Sequence, residues 1–149
     1  MPSISYIPSN TWSPTDGFGY KIARKEVTFL NTAAGNQDLF TVTGDVIVRV
    51  VGVVGTSLTS AAAGNVAVGC VGETDIIGGY TIATTLDARE IWHDMTPDSE
   101  IEDLSTMREA IITDGNNITL YYDAQIDAGV LVFYCFWTPL SAGSSVVAV

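Results

Sequence analysis

Val130 to Trp137 (V-L-V-F-Y-C-F-W) is an unbroken apolar and aromatic run, and it narrows what the chain can fold into more than any other stretch. It is too short to cross a bilayer as a helix, which takes ~20 residues. Its β-branched and aromatic content predicts a strand. In a strand Leu131, Phe133, Cys135 and Trp137 point one way, and Val130, Val132, Tyr134 and Phe136 point the other. Neither face is polar. Such a strand needs a core on one side and a second layer or a partner subunit on the other.

The rest of the chain alternates in the same way between turn signals. Tyr20–Leu30 reads as a first strand and Leu39–Thr43 as a second, and Gly44-Asp45 has the Gly-X form of a two-residue type II′ hairpin turn. Val46–Val54 is a second long apolar strand. Its one charge, Arg49, must either snorkel at a rim or pair with an acid. Thr56–Asn65 reads as an exposed loop of small residues. Val66–Val71 is a strand, Gly78-Gly79 a break, Tyr80–Leu86 a short strand and Arg89–His93 another. Met95–Met107 has near-helical spacing weakened by Ser105-Thr106 and the β-branched Ile111-Ile112, so a long loop with at most one or two helical turns is expected. Arg108–Thr113 is expected to pair across Asp114-Gly115-Asn116 with Asn117–Asp123. In the latter, Ile118, Leu120 and Tyr122 face inward. Val130–Trp137 is expected to pair with Asn117–Asp123 or with Val46–Val54. About eight strands with little helix predict an all-β fold, an antiparallel β-sandwich or jelly-roll-like barrel. Residues 21–140 form the single sandwich domain.

Residues 1–20 form an extended N-terminal arm, because Pro2, Pro8 and Pro14 forbid regular helix. The arm also holds Tyr6, Ile7, Trp12, Phe18 and Tyr20, too many large apolar groups for a flexible linker. They must dock on their own domain or on a neighbour. Residues 141–149 are an uncharged tail suited to docking or edge pairing. The start, Met-Pro-Ser-Ile-Ser, has neither a basic nor an apolar signal-peptide region.

The net charge of −11 argues against a nucleic-acid partner and against anionic membrane. The charge is uneven. In residues 1–25, Lys21, Arg24 and Lys25 outweigh Asp16 to give +2; beyond them 16 acids against Arg49, Arg89 and Arg108 give −13. A mildly basic entry segment on an acidic body either seats on an acidic partner or balances charge locally. Tyr6, Ile7, Trp12, Phe18, Tyr20, Lys21, Arg24 and Lys25 are therefore the candidate partner interface.

Catalytic signals are weak. His93 is the one histidine, it follows Trp92, and no G-x-S-x-G elbow accompanies it. Cys70 and Cys135 lie far apart in apolar alternation and read as buried free thiols, so the common zinc patterns do not arise. Asp94, Asp98, Glu100, Glu102 and Asp103 lack Ca²⁺-loop spacing and read as a solvated acidic face. Gly52-Val53-Val54-Gly55-Thr56 lacks the lysine of a phosphate loop. Neither an enzyme nor a cofactor is expected. A rival reading is a phage fibre or adhesin module that binds a host-surface glycan through exposed aromatics such as Trp92 or Trp12.

Leu39–Val48 (L-F-T-V-T-G-D-V-I-V), the Gly52/Gly55 strand with its Ser/Thr/Ala loop, Asp87–Trp92 (D-A-R-E-I-W) and Phe133–Leu140 (F-Y-C-F-W-T-P-L) resemble small structural proteins of tailed-bacteriophage virions. The likeness runs from Val27 to about Leu140. It implies a capsid decoration (cement) protein, β-rich and often trimeric, bound to the major capsid protein on the capsid surface after synthesis in the host cytoplasm. It assigns a role to no single residue.

Overall fold

The computed structural model describes residues 20–149. Eleven strands build two antiparallel sheets: β1 (Lys21–Thr32), β2 (Gly35–Thr43), β3 (Val46–Thr59), β4 (Asn65–Cys70), β5 (Glu73–Ile82), β6 (Glu90–Trp92), β7 (Asp98–Ser99), β8 (Ala110–Ile112), β9 (Ile118–Tyr122), β10 (Ile126–Pro139) and β11 (Ser145–Ala148). The first sheet runs β1-β10-β3-β6-β7, with β8 also paired to β3; the second runs β11-β2-β9-β4-β5. The expected all-β sandwich is the fold.

The long apolar run is the centre of β10, held between β1 and β3. Of its two expected neighbours, Val46–Val54 is the partner. Asn117–Asp123 is not, because β9 lies in the opposite sheet between β2 and β4. The inward residues Leu131, Phe133, Cys135 and Trp137 are buried in one core cluster with Leu39, Val42, Val68 and Leu120 of the facing sheet. Phe29 and Tyr122 meet edge to face across the core, with centroids 5.7 Å apart. Trp92 lies 6.1 Å from the Phe133 ring, and its Nε1–H donates to Thr81 Oγ1 at 2.9 Å. That buried bond ties β6 of one sheet to β5 of the other.

Several expected boundaries change, each for a physical reason. Gly44-Asp45 does not close a hairpin. Gly44, at φ +68°, carries the chain from one sheet to the other. Its N–H donates to Asp114 Oδ1 at 2.7 Å, and the Asp45 N–H to Ser141 Oγ at 3.0 Å. Three sheet-switching connections are thus bonded together at one corner. Ala110–Ile112 pairs with β3 and not with β9, so Asp114-Gly115-Asn116 is a second crossing. Thr56–Asn65 is not all exposed loop. β3 continues to Thr59, Leu58 is buried, and buried Ser60 donates to the Gln125 carbonyl at 2.6 Å. β5 runs through Gly78-Gly79 as a bulge, since between Val66↔Thr81 and Val68↔Ile77 it spends more residues than β4. Met95–Met107 is the expected loop with one short 3-10 turn at Leu104–Thr106, except that the two-residue β7 within it pairs with β6. The tail pairs edge to edge through β11 on β2. Cys70 and Cys135 sit in opposite sheets as free thiols, and burial pushes the Cys135 thiol up to about 12.

Candidate interaction surface

The second face of β10 belongs to the outer surface of the first sheet. Antiparallel register lines up Ile22, Phe136 and Arg49 in one row; Arg24, Tyr134 and Val51 in the next; and Glu26, Val132 and Val53 in a third. Beyond β3, Ile91 stands opposite Val53 and Ile111 opposite Ile47. Phe136, Tyr134 and Val132 are half-buried, whereas Ile22 is 51% and Ile111 68% exposed. The outer surface of the second sheet is mixed: it carries Thr41, Tyr121 and the Asp38 carboxylate, which accepts 2.8 Å bonds from Asn117 Nδ2 and buried Thr119 Oγ1, and it also exposes Tyr80, Ile82 and Val147. Both outer faces therefore expose apolar side chains, and on the first sheet they run in rows across β1, β10 and β3, the kind of apolar patch that marks a contact surface on a folded domain.

Charges on the outer face of the first sheet compensate one another. Arg24 Nη2 lies 3.0 Å from Glu26 Oε2, and Arg49 Nε 2.9 Å from Glu109 Oε2. Tyr20 completes the second pair. Its hydroxyl donates to the same Glu109 oxygen, and its ring centre lies 5.6 Å from the Arg49 guanidinium carbon. The hydrogen bonds from Tyr20 and then Arg49 hold the Glu109 carboxyl below its usual range, and the same bond raises the Tyr20 hydroxyl. Arg49 thus meets the need its lone charge creates in an apolar strand: it pairs with an acid at the surface.

The candidate residues named from sequence divide three ways. Tyr6, Ile7, Trp12 and Phe18 lie outside the described residues. Tyr20 and Arg24 stand on the outer face of the first sheet. Lys21 and Lys25 belong to the opposite phase of β1: Lys21 Nζ sits 5.0 Å over the Trp137 ring, and Lys25 Nζ donates to the Val149 carbonyl. The basic entry segment is therefore split between two faces. Sequence reasoning missed Ile22, Ile91, Ile111 and Glu109. The exposed phase of the β-branched pair Ile111-Ile112 was a usable signal for one of them; Glu109 offered none.

Trp92 is fully buried, so it provides no platform for a sugar ring, contrary to the adhesin reading. His93 is buried beside it, with Nε2 3.0 Å from Glu102 Oε1. One acid of the 94–103 patch thus folds back to the core and is not part of a solvated face.

No protein-family model matches the chain, and no curated protein matches it. Among solved structures, it is similar to a chain of the acid-stable capsid of the Helicobacter pylori bacteriophage KHP30, at 16% identity and TM-score 0.40, over 87% of this chain and 92% of that one. It is also similar to part of the IMPa metallopeptidase solved in complex with T-antigen, at 12% identity and TM-score 0.34, over 87% of this chain and 13% of that one. Both TM-scores fall below 0.5, so neither likeness bears on what this chain does.

Proposed function

We propose that the chain is a structural virion protein of a tailed bacteriophage, made in the host cytoplasm and placed on the capsid surface. There it decorates and stabilises the shell through contacts with the major capsid protein, as a homotrimer, without catalysis and without a cofactor. The observation that carries this reading is the outer face of the first sheet, where apolar rows across β1, β10 and β3 hold charges that pair with one another. A domain built this way works by covering another surface, and symmetric assembly is the common way to use such a face. The phrase-level resemblance to phage structural proteins supplies the setting. In this reading Tyr20 and Arg24 belong to the capsid-facing side, with Lys21 and Lys25 at its border.

The test is binding to phage particles that lack the protein. Co-sedimentation with purified capsids, a native mass of three chains by light scattering, and density above the shell by cryo-electron microscopy are expected. Stoichiometric absence from particles, with a monomeric chain in solution, sinks the reading.

A further inference from the structure

We propose that a recess on the outer surface of the second sheet is a binding site for a neutral saccharide. It lies on the sheet opposite the proposed capsid-facing side, so it does not depend on the virion reading.

The recess comes from the way β5 leaves its turn. Between Val68↔Ile77 and Cys70↔Glu73, β4 spends two residues and β5 spends four. The surplus bulges over the outer side of Gly69. A Cβ at Gly69 would collide with the Glu73 carbonyl and the Thr74 backbone, so glycine is what lets the start of β5 lie across the sheet there. That bulge and its turn, through Val71, Gly72 and Thr74, form a wall. Antiparallel register sets the floor. Asp38, Thr119 and Gly69 share one row, and Asn36, Tyr121 and Ala67 share the next. Floor and wall enclose about 300 Å³. That is the low end of the roughly 300–1,000 Å³ of small-molecule sites.

The lining selects the ligand class. Among the described residues no lysine, arginine or histidine lines the recess, so an anion would meet the Asp38 carboxylate and no counter-charge. Asp38 is also the one carboxylate in the lining, which is too few for a metal ion. Its orientation is fixed, because Oδ1 accepts from Thr119 Oγ1 and Oδ2 from Asn117 Nδ2, each at 2.8 Å. A carboxylate has about four lone-pair sites, so each oxygen keeps one for a ligand. Two acceptors held side by side match two adjacent hydroxyls. The Asn36 amide and the Thr74 hydroxyl can both donate and accept, which suits hydroxyls in either orientation. Tyr121 brings an aromatic ring for the C–H face of a sugar, the role that buried Trp92 cannot fill. The Tyr121 hydroxyl is itself buried without a hydrogen-bond partner, so this wall of the site holds bonding capacity the fold does not use.

The experiment is a ¹H–¹⁵N NMR titration of the full chain with glucose, galactose, mannose, rhamnose and N-acetylglucosamine in turn. One of these sugars should saturably shift the amides of Asn36, Asp38, Gly72, Thr74 and Tyr121 and leave those of β10 in place. Asp38→Asn should weaken that binding about tenfold or more, since it removes a charged acceptor. Asn36→Ala, at an exposed position, should weaken it as well and stands in if the change at Asp38 disturbs the fold by circular dichroism. Methylammonium serves as the control for a bare charge effect. No saturable shift at these amides with any of the sugars, equal shifts from methylammonium, or parental affinity in both variants overturns the proposal. Capsid co-sedimentation and this titration read opposite sheets, so either can fail alone.

Discussion

Leu131→Asp and Phe136→Asp should have opposite outcomes, although the two residues are five apart in one strand. Leu131 is fully buried between Val27 and Val54 in register, with no cation in that row. Truncating a buried leucine costs ~2–5 kcal/mol, and an unpaired buried carboxylate adds several more. That total reaches the ~5–15 kcal/mol that holds a whole domain together, so the variant should not fold. Phe133 is a less clean choice, because Lys25 stands opposite it and can meet an introduced acid. Phe136 points outward between Ile22 and Arg49 and is half-buried. A fully buried phenylalanine is worth up to ~3 kcal/mol, so about half of that, ~1.5 kcal/mol, is at stake, and the new carboxylate gains Arg49 as a neighbour. The midpoint should fall by roughly 3–6 °C. Thermal unfolding followed by circular dichroism, with solubility as a first screen, measures both. A folded Leu131→Asp with a parental midpoint, or a Phe136→Asp that cannot fold, would refute the assignment of faces.

Two further outcomes follow from single bonds. Thr81→Val should destabilise by ~1–3 kcal/mol in urea unfolding, because it strands the Trp92 indole N–H in the core, whereas Thr81→Ser should recover most of the loss. Acid should weaken the fold. Hydrogen bonds from the Asn65 side chain and backbone depress Asp123, those from Gln125 and the Ala61 N–H depress Asp127, and those from Tyr20 and Arg49 depress Glu109. Each carboxyl titrates lower folded than unfolded. Its contribution is therefore whole above the ordinary values of 3.8 and 4.5 and is lost as pH falls through the depressed ones. Melting temperature should be level against these groups above about pH 5 and fall below it. Asp123→Asn should flatten that fall, and an unchanged acid limb in this variant would count against the assignment.

Periodicity speaks to which way a side chain points and is silent on which sheet a strand joins. The alternation in Val130–Trp137 and Ile118–Tyr122 correctly separates inward from outward residues, because burial acts on one face at a time. Leu39–Thr43 and Val46–Val54 look like two arms of a hairpin for the same reason, since both turn apolar residues to one shared core. They nevertheless lie in opposite sheets. What decides is the corner, where Gly44 and Asp45 bond to Asp114, and Asp45 to Ser141, across about seventy to a hundred residues of sequence. No local pattern encodes bonds of that range. The apolar surface follows the same division. That β10 has no polar face is plain from eight letters. That Arg49 would find Glu109, 60 residues away, and that Glu109 would also take the Tyr20 hydroxyl, 89 residues away, follows only once β8 lies beside β3 and β1 beside β10. The lone arginine in an apolar strand was a question the sequence could pose, and the answer required the topology.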